Sequence, residues 1–464
     1  MSGRQGTSHS GLGAIVARWS LIFLCLGLGP RAQSEPRFPP PEFETEYQIP
    51  DEQHPAARAL WLEYTDAAVL LATLALATWF VARKRSRKAV VGLSLFSLSY
   101  FGFFRAGCVC AIGSIQNISL ALFDHTYALP LTVLAFFIAP LAVALFFGRT
   151  FCAAVCPHGA LQDLVLVKPI ALSRWLEQGL GIIPYLYLGL GVWFAATGGA
   201  FVICRYDPFV GIFRLSGSLT MLLVGALFVL TGLFIGRPYC RFLCPYGVLL
   251  KLAASVSRWR VRITPDVCTQ CQLCEHSCPF GAIREPFTSR PDPRELARER
   301  RRFVGLLALV PILMLAGGWL CARFSGVAAQ FHPTVELAEL YLRQQVDPAP
   351  EALPAVDALA YARAERDTES VLSHAIAARR KFNSGGWIFG AFAGLVIGAK
   401  LARFSVQSRR TDFEPDRGAC LACARCFEFC PKERVRRGTW PAGEPIPGIE
   451  CRPQRVALSR KGSA

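Results

Sequence analysis

Seven stretches of the chain are long and apolar enough to cross a membrane. They lie at about 60–82, 89–107, 128–148, 180–203, 217–236, 303–322 and 385–402. A helix needs about 20 mostly apolar residues to span the hydrocarbon core of a bilayer. The pattern therefore predicts an all-α polytopic membrane helical bundle with about seven spans.

A shorter apolar run, Leu21 to Gly29, lies near the N-terminus and follows two basic residues, Arg4 and Arg18. The run is too short for a comfortable span. Small residues at 32–34 provide a cleavage site of the kind that ends a secretory signal. We expect residues 1–34 to be a signal peptide, with an uncleaved anchor helix as the alternative.

The overall composition agrees with a membrane protein. Apolar residues make up 53% of the 464 residues and charged residues only 18%, below the roughly 25% of soluble domains. On a soluble chain the net charge of +17 would suggest nucleic-acid binding. On a membrane protein, basic cytoplasmic loops produce the same excess, and we expect no nucleic-acid partner.

The distribution of charge predicts the orientation of the chain. Residues 35–66 hold eight acidic and two basic residues, whereas the loop 83–88 holds five basic residues and no acidic one. Basic loops stay in the cytoplasm. We therefore expect a multi-pass protein of the bacterial inner membrane, with the segment 35–59 in the periplasm and the C-terminus in the cytoplasm.

The last predicted span has a glycine at every fourth position. The four residues are Gly386, Gly390, Gly394 and Gly398. Residues four apart share one face of a helix, and small residues on one face let a second membrane helix approach closely. We predict a close helix–helix contact along this face.

Eight cysteines form two copies of the spacing C-x2-C-x2-C-x3-C-P. The first copy is Cys268, Cys271, Cys274 and Cys278, and the second is Cys420, Cys423, Cys426 and Cys430. This is the bacterial ferredoxin spacing for [4Fe–4S] clusters. Structural zinc is the alternative, but zinc prefers paired C-x2-C knuckles, so the spacing favours two [4Fe–4S] clusters.

The fourth cysteine of each copy predicts how the two clusters share their ligands. In two-cluster ferredoxins this cysteine ligates the other cluster. One set is then Cys268, Cys271, Cys274 and Cys430, and the other is Cys420, Cys423, Cys426 and Cys278. The two spans between the copies must form a hairpin that returns the second copy to the first.

An internal repeat places four further cysteines in the membrane domain. The pattern G-R-x-[FY]-C-x3-C-P-x-G occurs at 148–159 and, 88 residues later, at 236–247. It contains Cys152 and Cys156 in one copy and Cys240 and Cys244 in the other. We expect the four thiols to face the cytoplasm, where they form one four-thiolate metal site, two redox dithiols, or a set of helix-packing cysteines.

Three more cysteines follow the spans that run toward the periplasm. Cys108 and Cys110 follow the second predicted span, and Cys204 follows the fourth. The periplasm is oxidising, so a disulfide from Cys204 to Cys108 or Cys110 is one interpretation. A redox-active group is the other.

These features divide the chain into eight parts. They are the signal 1–34, the periplasmic segment 35–59, a five-helix membrane domain 60–258 with the repeated C-x3-C-P motifs, the first ferredoxin half 259–300, the sixth span 303–322, a periplasmic helical segment 323–384, the seventh span 385–402, and the second ferredoxin half with a basic tail 403–464. The two ferredoxin halves would form a small cytoplasmic module.

Three motifs together resemble the NosR/NapH family of polytopic iron–sulfur membrane proteins. They are Arg-Ala-Gly-Cys-Val-Cys-Ala-Ile-Gly at 105–113, the paired C-x3-C-P motifs, and Cys-Pro-Phe-Gly-Ala-Ile at 278–283. The likeness covers about 65–290 and 385–435 and is closer to the NosR branch. The family serves denitrification and nitrate respiration. The resemblance therefore implies electron transfer toward a periplasmic acceptor, such as nitrous-oxide reductase.

The resemblance has one departure that bears on partners. The NosR branch carries a periplasmic flavin domain ahead of its membrane part, and here only the segment 35–59 stands in that place. We therefore expect a separate periplasmic flavoprotein or reductase as a partner.

The expected function is electron transfer rather than conversion of a substrate, because no residue set for acid–base or nucleophilic chemistry stands out. The hydrocarbon core is about 30 Å thick, too far for one step from a cytoplasmic cluster to a periplasmic acceptor. A partner-borne flavin, a quinone between helices, or the cysteines 108, 110 and 204 are candidates to bridge that distance. The electron donor would be a cytoplasmic protein or quinol. A redox-sensing assembly or regulatory factor for a periplasmic reductase is the alternative function.

Overall fold

The computed structural model describes residues 59–107, 110–170, 172–259, 261–264, 268–286, 293–346, 368–404 and 412–440. The expected signal 1–34, nearly all of the segment 35–59, Cys108 and the tail after residue 440 lie outside the described residues. Predictions about them remain predictions.

The described chain is mostly helical, as its hydrophobic pattern predicts. The membrane domain contains Leu60–Trp79 continued by a π-helical turn Phe80–Lys84, Arg87–Ser97 continued by Leu98–Phe104, Ala111–Phe123, Leu131–Phe147, Thr150–Ala154, Pro157–Leu164, Arg174–Leu180, Ile183–Ala196, Val202–Arg205, Pro208–Arg214, Leu219–Gly232, Pro238–Phe242 and Pro245–Ser255. The C-terminal part contains Leu273–His276, Pro293–Arg323, Ser325–Ala329, Pro333–Val346, Thr368–Phe404, Arg425–Phe429 and Pro431–Arg436, with strands Ile283–Arg284 and Glu414–Pro415.

Several of these helices are long enough to cross a membrane, which supports a multi-pass membrane protein. Within the described ranges, four helices satisfy length and hydropathy together: Leu60–Lys84, Trp175–Ala196, Ala297–Arg323 and Thr368–Arg403. A fifth candidate is a pair of helices, Pro208–Arg214 and Leu219–Gly232, which meet at 101°. Ala111–Phe123 and Leu131–Phe147 are apolar but shorter. The predicted total of seven spans therefore stays a prediction.

The region between the last two predicted spans differs in detail from the expectation. The predicted span 385–402 is the second half of one 37-residue helix that begins at Thr368. The helices Ser325–Ala329 and Pro333–Val346 precede it, and Phe382 is buried between this region and Trp193. The expected helical character of 323–384 is present in the residues that the structure describes there, while its periplasmic location stays a prediction.

Helices Pro293–Arg323 and Thr368–Phe404, the hairpin helices, pack against each other along the glycine face. A Cβ on Gly386 would lie 3.1 Å from the Cys321 carbonyl oxygen, and one on Gly398 would lie 2.8 Å from Val310. Gly390 faces the backbone of Gly317 so closely that no side chain fits. The predicted close contact along the glycine face is confirmed.

The hairpin brings the two ferredoxin halves together. Ile283 and Arg284 pair antiparallel with Pro415 and Glu414. The Asp416 N–H also donates to the Ala282 carbonyl oxygen over 2.7 Å. The predicted return of the second half to the first is thus present in the fold.

Candidate iron–sulfur centres

The two ferredoxin loops have the same backbone conformation. Gln270 and Gln272 in the first loop have φ of 53° and 63°, and Ala422 and Ala424 in the second have 53° and 64°. These left-handed residues turn backbone N–H groups inward, as in the anion-binding nests that surround many iron–sulfur sites. The Gln270 N–H lies 3.4 Å from the Cys268 sulfur, and the Ala422 N–H lies 3.4 Å from its counterpart in the second loop. Both loops therefore fit an iron–sulfur cluster.

One cavity contains the first predicted ligand set. Cys268, Cys271, Cys274 and Cys430 all line it, together with Phe413. Burial raises the pKa of the Cys274 thiol to about 12, and charge on the other three cysteines adds to the rise. A residue from the second half therefore lies at the loop of the first.

The second predicted set is also close together. Burial raises the pKa of Cys420 to about 12, and charge on Cys423 and Cys278 adds to the rise. Burial raises the pKa of Cys426 well above its usual range, and charge on Cys420, Cys423 and Cys278 adds to the rise. The structure thus brings together the members of both sets, and the ligation itself stays a prediction.

The spacing of these cysteines bears on the zinc alternative. Thiolates on a single zinc ion, each about 2.3 Å from the metal in a tetrahedron, lie less than about 4 Å apart. Within the described residues, no group of three or more His, Cys, Asp or Glu is spaced to hold one metal ion. A cluster of several irons separates its ligands further than a single zinc ion does, so the metal and sulfide content of the chain decides between the two.

The ferredoxin halves pack onto the basic loop that follows the first span. Arg85 pairs with the fully buried Glu433 at 2.9 Å, and the Arg437 guanidinium donates to the Arg85 carbonyl oxygen. Arg87 donates to the Cys423 carbonyl oxygen over 3.1 Å. The loop 83–88 and the ferredoxin halves are therefore on the same side of the bundle.

A single buried carboxylate connects the ferredoxin half to the membrane domain. Asp163 lies 3.4 Å from Arg237 and 3.4 Å from Arg425, and it also pairs with Arg87. Burial alone would raise the pKa of Asp163, but the charges of Arg237 and Arg87 hold it at about 2. Asp163 is therefore an ionised centre for three arginines from three segments.

The four repeat cysteines converge in the core beneath the ferredoxin halves. Cys152, Cys240 and Cys244 are buried, and Cys156 is half-buried. Burial raises the pKa of Cys244 well above its usual range, and charge on the other three adds to the rise. The four thiols are thus mutual neighbours, although they come from segments 88 residues apart.

Three of the four sulfurs accept an N–H group. The Arg149 guanidinium lies 3.7 Å from the Cys152 sulfur, and the Gln162 amide lies 3.5 Å from the Cys240 sulfur. The backbone N–H of Gly247 donates to the Cys244 sulfur over 3.3 Å.

The position of Cys110 corrects one expectation from the sequence. The predicted topology separates Cys110 on the periplasmic side from Cys156 on the cytoplasmic side, and this separation is wrong. Both line one cavity of about 20 Å³ with His158, room for about one water molecule. The reason is that Thr150–Ala154 and Pro157–Leu164 are short helices within the core, rather than a surface turn.

Cys204 lies close to Cys110. Its sulfur is 3.1 Å from where a Cβ on Gly113 would lie, and its N–H donates to the buried Gln116 side chain. Cys204 itself is exposed. No disulfide joins Cys204 to Cys110 in the structure, and the bridge to Cys108 lies outside the described residues.

Sequence analysis missed the polar residues that surround the repeat cysteines. Arg149 and Arg237 are invariant between the two copies of the repeat, which was the available signal for them. Gln162 and Asp163 lie outside the repeated pattern and had no such signal.

Comparisons with known proteins agree with this site. A family model described as a 4Fe-4S binding domain matches residues 129–182 and again 218–264. A second model with the same description matches residues 261–284. The first model therefore covers the two repeats, and the second covers the first ferredoxin loop. No solved structure matches the chain.

Three relatives match parts of the chain. Protein NirI of Paracoccus denitrificans is 34% identical over 30% of this chain and 22% of its own length. The regulatory protein NosR of Pseudomonas aeruginosa is 27% identical over 53% of this chain and 37% of its own length. YccM of Escherichia coli strain K12, whose name refers to electron transport, is 28% identical over 31% and 44%.

The chain thus spans less than half the length of each of these three relatives. The matched 4Fe-4S models and the names of the relatives support iron–sulfur electron transfer in a multi-pass membrane protein. In these matched parts the chain is similar to iron–sulfur membrane proteins of the NosR/NapH type.

Proposed function

We propose that the protein transfers electrons across the bacterial inner membrane. It accepts them at a cytoplasmic ferredoxin module from a soluble donor or from the quinone pool. It passes them toward a periplasmic redox system, either a separate flavoprotein or a respiratory reductase of the nitrous-oxide reductase kind.

The observation that carries the proposal is the meeting of the two ferredoxin loops. Cys430 lines one cavity with Cys268, Cys271 and Cys274, although the two loops are separated in the chain by the hairpin helices. In the proposed site these four residues hold one [4Fe–4S] cluster, and Cys420, Cys423, Cys426 and Cys278 hold the other. Such clusters supply one-electron transfer when bound, and burial and N–H donors to sulfur set their potentials.

The basic loop supports the proposed orientation. Arg85 and Arg87 of that loop contact the second ferredoxin half directly. Basic loops remain in the cytoplasm, so the module is assigned to the same compartment. A docked partner flavin or a bound quinone then completes the path to the periplasm.

The proposal is tested on the purified full chain by counting iron and acid-labile sulfide and by EPR after dithionite. The expected result is at least about eight irons, the number that two cubanes hold, with coupled [4Fe–4S] signals. Cys430→Ser and Cys278→Ser should each perturb a different cluster. Cys321→Ser is the matched control, because Cys321 belongs to neither set. Zinc with little sulfide would overturn the proposal.

A regulatory function is the second candidate, and the printed name of NosR favours it. In that case the module senses redox state and controls maturation of a periplasmic reductase. Stopped-flow reduction by a quinol or reduced flavin separates the two functions. Rapid, repeated reduction and reoxidation supports electron transfer, whereas a single slow reduction without turnover supports sensing.

A further inference from the structure

We propose that Cys152, Cys156, Cys240 and Cys244 together hold one additional iron–sulfur cluster inside the membrane domain, with two thiolates from each repeat. The role of such a cluster rests on the proposed electron-transfer function, whereas its presence is a separate question. It would be a redox centre between the ferredoxin module and the cavity at Cys110.

Neither repeat can complete such a site alone. Each stretch matched as a 4Fe-4S binding domain, 129–182 and 218–264, contains two cysteines. Both [2Fe–2S] and [4Fe–4S] clusters take four cysteine thiolates. A site shared between the two stretches supplies that number, and the fold brings the four thiols together.

The two repeats face each other with reciprocal contacts, as a shared site requires. The ring of Phe151 lies 6.0 Å from that of Tyr246. The ring of His158 is stacked at 5.5 Å on that of Tyr239. Phe151 and Tyr239 hold equivalent positions in the repeat, and so do His158 and Tyr246, so each repeat places its first aromatic position against the second position of the other.

Three of the four sulfur atoms have N–H donors of the kind that tune iron–sulfur clusters. They accept from Arg149, Gln162 and the backbone of Gly247. Hydrogen bonds to the sulfurs are one of the means by which a protein sets cluster potential. Cysteines that only fill space between helices need no such set of donors.

Buried positive charge provides the strongest argument. Arg149 is 6% exposed, and among the described residues no carboxylate lies within ion-pair distance of it. Its side chain points instead at the Cys152 sulfur. An unpaired buried charge is costly, and a cluster held by four thiolates carries net negative charge. Arg149 would be the counter-ion on one side of the site, and Arg237, fully buried beside the Cys152 carbonyl, lies on the other.

The convergence of the repeats favours one shared centre over two separate dithiols. Two independent dithiols would not require the repeats to face each other. A centre that takes two thiolates from each repeat does require it.

The site lies directly beneath the ferredoxin loops. The Arg237 guanidinium is 5.6 Å from the ring centroid of Phe280, two residues after Cys278. Arg149 donates to the carbonyl oxygen of Gly418, two residues before Cys420. Both arginines therefore contact Cys152 of the repeat and a segment next to a cysteine of the second proposed ferredoxin set.

The test is iron and sulfide content with EPR and Mössbauer spectra on the full chain in detergent. Wild type should contain about ten irons in total with a [2Fe–2S] cluster or about twelve in total with a [4Fe–4S] cluster. Both totals include the eight irons of the ferredoxin module. Cys240→Ser and Cys152→Ser should each remove about two or four irons and leave the ferredoxin signals unchanged. Those retained signals also report that the variants fold, and Cys321→Ser is the control.

A second variant tests the charge argument without removing a ligand. Arg149→Gln should lower the midpoint potential of the additional signal more than that of the ferredoxin signals, because reduction adds negative charge that Arg149 no longer balances and Arg149 reaches the ferredoxin loop only through the Gly418 carbonyl. Eight irons in wild type and in Cys240→Ser would overturn this inference and leave the proposed function standing. If instead wild type showed no ferredoxin signals but held two or four irons, the proposed function would be overturned and this inference would stand.

Discussion

The guanidinium of Arg237 lies directly against the backbone of Gly159. Its Nη1 atom is 3.1 Å from where a Cβ on that glycine would lie. The mirror contact joins Arg149 to Gly247, with Nη2 at 3.3 Å from the equivalent position. Each repeat thus contributes an arginine that occupies the space left by the other repeat's glycine. The arginine and the last glycine of the motif are therefore parts of one interface between the repeats.

We predict that Gly159→Ala destabilises the membrane domain. The added Cβ would lie 3.0 Å from the Cys152 carbonyl oxygen as well as against Arg237, and both are held in a buried network. Overpacking of this kind costs about 1–3 kcal/mol. The measurement is the thermal midpoint in detergent, followed by circular dichroism.

Gly92→Ala is the matched control for Gly159→Ala. Gly92 also lies within a helix, but a Cβ there would meet nothing within 4 Å. It should leave the midpoint unchanged or raise it slightly. Equal midpoints for the two variants would contradict the repeat interface.

We predict that Asp163→Asn is far more damaging than loss of a surface ion pair. The substitution leaves Arg87, Arg237 and Arg425 without their shared buried carboxylate. Removing one partner of a buried ion pair costs about 3–5 kcal/mol. Glu177→Gln is the control. Glu177 pairs with Arg241 at 2.7 Å, but the Glu177 side chain is about one-third exposed. A pair of this kind contributes less than about 1 kcal/mol to the free energy of unfolding.

The lowered pKa of Asp163 predicts how this difference changes with pH. Its pKa falls from 3.8 to about 2 on folding, so the carboxylate stabilises the fold above about pH 4 by about 2 kcal/mol. That contribution is lost as the pH falls from 4 toward 2. The midpoint difference between wild type and Asp163→Asn should be constant from pH 7 to 5 and decrease below 4. A constant difference down to pH 3 would contradict the assignment of the charge.

Local patterns predicted much of this molecule. The cysteine spacing predicted two loops whose members meet across the chain, because such a loop is specified by a few consecutive residues. The four-residue glycine spacing predicted the close packing of the hairpin helices, because helix geometry alone places those residues on one face.

The arrangement around the repeat could not be predicted in the same way. The interruption at Gly148 turns the chain back into the core, and hydropathy does not indicate that turn. For that reason Cys110 and Cys156 were assigned to opposite sides. The contacts of Asp163 with three arginines depend on tertiary packing of distant segments, which no local pattern encodes.

We predict that Gly390→Leu lowers the iron content of the ferredoxin module. Gly390 meets the backbone of Gly317, so a larger side chain must separate the hairpin helices. The second half then no longer returns to the first, and Cys430 leaves the cavity of Cys274. Gly305→Leu on the same pair of helices is the control, because nothing lies within 4 Å of a Cβ there. Equal iron-to-chain ratios for the two variants would show that the hairpin does not control the module.

The last prediction concerns orientation and uses the exposed Cys204. A membrane-impermeant maleimide should label it in intact spheroplasts, and Cys204→Ser should remove that adduct. A thiol introduced by Lys88→Cys, at an exposed position of the basic loop, should react only after permeabilisation, and the unsubstituted chain is the matching control. The contacts of the basic loop 83–88 with the ferredoxin halves require this pattern if the positive-inside rule holds. Labelling of Cys204 only in permeabilised cells would show that the chain has the opposite orientation in the membrane. The ferredoxin module would then lie in the periplasm, and the donor and acceptor compartments of the proposed function would be exchanged.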